Sequence, residues 1–133
     1  MRICEVNYKE ANKNHCLGDF SEDSVIYVPF NTSGADGASI TRSTDGTIQI
    51  YKDDGTGEST AGMTDNEDFD SLTGVHLVKV DTSADAFYAT GHDYQVVLNG
   101  AVIDGQTVNV VLAAFSIENR FASSSLVKNA LKM

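Results

Sequence analysis

Residues 74–99 read GVHLVKVDTSADAFYATGHDYQVVLN, and this stretch decides the fold class. Residues 75–80 are β-branched and apolar enough for a half-buried strand. His76, Val78 and Val80 fall on one face, Leu77 and Lys79 on the other. Residues 81–86 hold Thr, Ser and two Asp, whose side chains bond their own backbone in turns. Gly91 breaks the run, and Tyr94, Val96 and Leu98 then alternate with Gln95, Val97 and Asn99. The stretch predicts a strand, a connection that crosses over, and a second strand.

The flanking sequence repeats this grammar. Residues 25–30 place Ile26, Val28 and Phe30 on one face, and Pro29 suits an edge strand. Residues 31–37 are turn chemistry, and residues 38–43 read as a short strand around Ile40. Asp45 and Gly46 make a turn into a clear strand at 47–52, with Ile48 and Ile50 inward. Residues 53–60 form a loop and 63–69 a short edge strand. Beyond the central stretch, residues 100–105 turn the chain into a long last strand at 108–117. Its inward face switches near Ala113 and Ala114, which predicts a bulge. Short strands with turns about every ten residues predict an all-β sandwich of about seven antiparallel strands.

The two ends differ from this body. Residues 1–23 are polar, with no sustained period, and read as an N-terminal extension with a short strand at 3–8, a loose arm, or a stretch added by an upstream start codon. Residues 120–133 read as a basic helical tail, with Leu126, Val127, Ala130 and Leu131 on one face of a helix over 123–133. A helix this short is marginal alone and needs a surface to dock on. The division is therefore 1–23, 24–119 and 120–133.

A chain of 133 residues makes one domain with a real core. The net charge is −10, and its distribution is uneven. Between residues 25 and 119 fourteen acids face only Arg42, Lys52 and Lys79, whereas the tail has three bases and no acid. An acidic body repels phosphate and argues against nucleic acid. There is no apolar run of about 18 residues and no secretory apolar region, so the expectation is an intracellular product without a membrane span. Cys4 and Cys16 lie in the first sixteen residues, so the body is not expected to rely on a disulfide.

No residue pattern points to catalysis, a cofactor or a metal. Asp65, Glu67, Asp68 and Asp70 are spaced wrongly for a calcium loop, with Ser71 at the turn glycine and Leu77 at the bidentate acid. A solvated acidic loop is the expectation, and Asp53, Asp54 and Glu58 read alike. His76 reads as a core or rim histidine and His92 as an exposed turn residue. His15 beside Cys16 is no dyad by adjacency. Gly55 and Gly57 are not followed by a P-loop lysine. The chain is therefore not expected to be an enzyme. Tyr27 and Tyr51 fall on outward phases and are recognition candidates.

Gly91-x-x-Tyr94-x-Val96 resembles the tyrosine corner of immunoglobulin-like sandwiches, in which the hydroxyl returns to the backbone upstream. More widely, residues 24–121 resemble a small immunoglobulin-like domain recurrent among tailed-phage and prophage proteins. The resemblance is carried by EDFD at 67–70, GVH at 74–76, VDTSAD at 80–85, Tyr88, the Gly91 to Tyr94 motif and FSIENRF at 115–121. YVPFNTSGADGASI at 27–40 and TIQIYKDDG at 47–55 fit the first strands. It implies an Ig-like β-sandwich in which Gly91, Tyr94 and Val96 are critical, Val96 standing where antibody domains carry their second cysteine. It also implies a non-enzymatic structural or accessory protein of the virion, assembled in the host cytoplasm as a capsid decoration, tail or baseplate component.

Its partners would be other phage structural proteins in an oligomer or symmetric assembly. The docking residues would be Arg120, Leu126, Val127, Lys128 and Leu131 of the tail. The alternative is an adhesin or receptor-binding module that recognises a host-surface glycan or protein through Tyr27, Tyr51 and the loops.

Overall fold

The structure, a computed structural model, describes residues 16–119. It holds β1 (Cys16–Phe20), β2 (Val25–Asn31), β3 (Thr47–Lys52), β4 (Met63–Asn66), β5 (Val75–Asp81), β6 (His92–Ile103) and β7 (Gln106–Ile117). One 3-10 turn spans Phe69–Ser71. The strands form two sheets, one ordered β1-β7-β6-β3 and the other β2-β5-β4. The alternation read in β2, β5 and β6 is the alternation of burial. Ile26, Val28, Phe30, Val78 and Val80 from one sheet share a core with Ile48, Ile50, Tyr94, Val96, Leu98 and Phe115 from the other. The β5–β6 connection crosses from the three-stranded to the four-stranded sheet, as residues 74–99 predict.

Four local expectations are corrected. The extension does not run to residue 23, because Cys16–Phe20 pairs with the end of β7. Cys16 opens this strand and carries no free thiol. The pairing is parallel, so the strands are not all antiparallel. Residues 38–43 form no strand. The N–H of Ile40 donates to the Thr32 carbonyl at 3.2 Å, the Thr32 hydroxyl donates to the Ile40 carbonyl at 2.5 Å, and the segment crosses between sheets with isolated bridges only. Finally, residues 100–105 are not one turn: β6 continues to Ile103, and a two-residue Asp104-Gly105 turn starts β7. Both turn residues have positive φ, the geometry whose twist matches a hairpin. The predicted bulge is present one residue before Ala113, where Val96 and Val97 pair with Ala113 and Val111 and leave Leu112 over. The helix expected over 123–133, and the residues Cys4, His15, Arg120, Leu126, Val127, Lys128 and Leu131, lie outside the described residues.

Tyr94 is 0% exposed. Its ring stacks on Phe115 at 5.2 Å and meets Phe87 and Tyr88 at 5.8 Å. Its hydroxyl accepts from the N–H of Ala89 at 2.7 Å and lies 3.1 Å from the Ala89 carbonyl and 3.2 Å from that of Phe87. Gly91 takes φ +82° and donates its N–H to the Ile117 carbonyl at 2.7 Å. Nothing crowds its missing Cβ, so the demand there is conformational. Val96 is fully buried between Ile50 on β3 and Ala113 on β7. Tyr94→Phe keeps the ring but leaves the Ala89 N–H without its acceptor. A loss of about 1–3 kcal/mol is expected, read as a lower urea midpoint at unchanged slope.

Candidate functional site

A cleft of about 690 Å³ lies between the end of β2 with its following loop and the β6–β7 hairpin. Pro29, Phe30, Thr32, Ile103, Val108 and Val110 line it. Two features of the chain open it. β1 covers β7 only from Ala114 to Ile117, so the first half of β7 has no strand beside it on that side among the described residues. The bulge at Leu112 then shifts the pleat, and Val110 and Val111 stand 41% and 48% exposed. The all-apolar run VVLAAF hides this in the sequence, because both faces of the strand read as core.

The rim is hydrogen-bonded in place. The N–H of Ala35 donates to a carboxylate oxygen of Asp104 at 2.9 Å, joining the loop to the hairpin turn. Behind the wall, Thr32 Oγ1 lies 2.8 Å from His76 Nε2. His76 is 0% exposed, and its Nδ1 accepts from the N–H of Asp68 at 3.2 Å. Since Nδ1 accepts and the Thr32 hydroxyl already donates to Ile40, the ring is neutral with its proton on Nε2. Burial, and then the nearby Arg42, hold its pKa below the ordinary value.

Arg42 is the residue that sequence reasoning missed. It is 3% exposed and reaches Asp65 through two nitrogens at 2.9 and 3.0 Å. It also donates to the Asp45 carbonyl at 2.9 Å, approaches Glu67 at 3.5 Å and lies over the Phe30 ring. The acidic stretch is therefore only partly a solvated loop. Asp65 and Glu67 hold Arg42, while Asp68 accepts from the Thr41 hydroxyl at 2.6 Å and the Gly74 N–H at 2.8 Å. Those two bonds lower the Asp68 pKa, whereas burial and the neighbouring Asp45 raise that of Glu67. Asp70 stays exposed. Only the shortage of bases in an acidic body hinted that Arg42 had partners waiting.

The two recognition tyrosines are not brought together. Tyr27, on β2, is 56% exposed. Tyr51 lies on β3 in the other sheet, half-buried, and accepts from the Gln49 side chain at 2.5 Å. Beside Tyr51, Asp53 accepts from the N–H of Asp93 at 3.0 Å and pairs with His92 at 2.6 Å. His92 is thus half-buried and engaged, not free in a turn. Among the described residues no group of three or more His, Cys, Asp or Glu is placed to hold a metal ion, and no helix is long and apolar enough to cross a membrane. Chemically, the cleft offers apolar contact area inside a polar rim. No family model, curated protein or solved structure matches the chain.

Arg42→Ala would strand Asp65 and Glu67 and open a hole beside Phe30. Both acids remain a quarter exposed, so the cost falls at the lower end of about 3–5 kcal/mol, measurable by denaturant titration. For His76 the sign follows from its lowered pKa. The unfolded chain binds the proton more readily, so stability is full above pH 6.5, the ordinary value, and falls as the pH drops below it. Glu67, with a raised pKa, slopes the opposite way from its ordinary 4.5 upward. The comparison that isolates the imidazole is wild type against His76→Gln. The variant is expected to be less stable but to lose the stability slope just below pH 6.5.

Proposed function

We propose that the chain is an immunoglobulin-like β-sandwich of a tailed-phage virion. It acts without catalysis, as a capsid decoration, tail or baseplate component, through contacts with other phage structural proteins. The observation that carries this reading is where the family-like residues sit. Asp68 and His76 are bonded to each other behind the cleft wall. Asp85 accepts from the N–H of Phe87 at 2.7 Å, Tyr88 donates to the Ala61 carbonyl at 2.6 Å, and Tyr94 stacks on Phe115. The residues that resemble the family are thus the ones that hold this chain's turns and core, as expected of a shared scaffold. The Tyr94 hydroxyl returning to residues 87 and 89 supports the immunoglobulin-like assignment over a generic pair of sheets. An acidic surface with an apolar cleft favours protein contact over phosphate. The basic tail at 120–133 is the attachment element in this reading.

A second reading, an adhesin for a host-surface glycan or protein, draws on one observation, the exposed Tyr27 ring. Quantitative mass spectrometry of density-purified particles separates the two classes. Dozens of copies or more per particle are expected, lost when residues 120–133 are deleted. A protein abundant in the lysate and missing from particles would sink the virion reading.

A further inference from the structure

We infer that the cleft between β2 and the β6–β7 hairpin receives the C-terminal tail, residues 120–133, of a neighbouring copy, so that copies join head to tail. The inference rests on the proposed role of the tail as attachment element and names the surface it attaches to. Three observations converge on it.

The first is the shape and chemistry of the receptor. The cleft is about 690 Å³ and bordered by the exposed Val110 and Val111. Asp104 lines it and Asp36 stands next to Asp104 at Gly34, both exposed, so two carboxylates meet at one corner of an apolar floor. Apolar area left open beside a polar rim is the usual form of a groove that takes an amphipathic segment.

The second is complementarity within the same chain. The body from 25 to 119 has fourteen acids against three bases, and the tail has Arg120, Lys128 and Lys132 with no acid. Leu126, Val127, Ala130 and Leu131 recur at helical spacing, so an apolar stripe is flanked by cations. That pattern matches an apolar floor with an acidic corner on an acidic body, and opposite charges set both orientation and encounter rate.

The third is direction. β7 begins at the cleft and ends at Ile117, at the far end of the sheet, where Asp19 on β1 accepts from the N–H of Asn119. Seven residues of strand separate Val110 from Ile117, about 24 Å. To reach its own cleft the tail would have to reverse direction. The cleft of the next copy imposes no such reversal. Unlike surfaces meeting in this way make a heterologous contact, which closes into a ring or continues as a filament.

The test uses three full-length proteins, the wild type and two variants. The cleft variant carries Val110→Asp and Val111→Asp, at positions exposed enough to leave the core intact. The tail variant carries Leu126→Asp and Leu131→Asp. Circular dichroism and a thermal melt first establish that each folds as the wild type does. Light scattering behind a sizing column then reads the mass from about 1 to 100 µM. Wild type is expected to grow in mass with concentration, with each variant at least tenfold weaker in association. An equimolar mixture of the two variants should give a one-to-one dimer and nothing larger, since it contains one intact cleft facing one intact tail. Four outcomes overturn the inference. They are a monomeric wild type, which places the tail on its own body or residues 1–15 in the cleft; undiminished association in the tail variant; undiminished association in the cleft variant; and a mixture that does not pair, which marks a two-fold interface. Because these readouts need no particle, they fail or succeed independently of whether the protein is found in virions.

Discussion

A phenol cut off from water has to find its hydrogen bonds inside the protein, and leaving it without them costs a few kcal/mol. Tyr94 meets that demand by taking the N–H of Ala89 and facing the carbonyls of Phe87 and Ala89. The cross-sheet connection is thereby pulled back over the start of β6. Tyr88 is carried with it, packs against Phe87 edge-on and donates to the Ala61 carbonyl. Burial there pushes the Tyr88 phenol up to about 12. With Tyr94 stacked on Phe115, one side chain joins the connection, β6 and β7. The two sheets are bridged through the segment this ring holds.

The other end of the core is held by charge. Arg42 sits beside the Phe30 ring with its guanidinium shared among Asp65, Glu67 and the Asp45 carbonyl. A cation in that position tolerates no second one nearby, which is one reason His76 stays neutral and bonds as donor to Thr32 and acceptor to Asp68. The crossing segment at 40–42 thus has no strand of its own and is fastened by side chains from both flanks. Part of the acidic excess is structural, not merely a solubilising surface.

Between these two anchors the sheets are left unequal. Among the described residues no strand lies on the far side of β2, where Pro29 offers no N–H to a passing one, and β4 is only four residues long. The half of β7 that no described strand covers has neither device. It presents Val110 and Val111, both exposed and both bordering the cleft. An apolar opening kept on a protein this acidic is the feature on which the proposed contact with another polypeptide draws.

The inward faces of β2, β3, β5 and β6 were legible because period-two alternation is a local property: it needs only that one face be buried. The Tyr94 corner was legible for a similar reason, since its partners lie five and seven residues upstream. β1 was not, because CLGDF is half-buried throughout and a five-residue strand added in parallel leaves no alternation to read. Residues 38–43 were misread because the bonds of Ile40 go to Thr32, a partner found only once the chain has turned. Arg42, in the same way, is buried only because Asp65 and Glu67 reach it from more than twenty residues away. By itself, then, the sequence determined the all-β class, the faces of its main strands and the hydroxyl-anchored turn, all set by neighbours close along the chain. Which edge is covered, which charge is buried and where a cleft remains were decided only in the tertiary structure, because each depends on groups distant in sequence meeting in space.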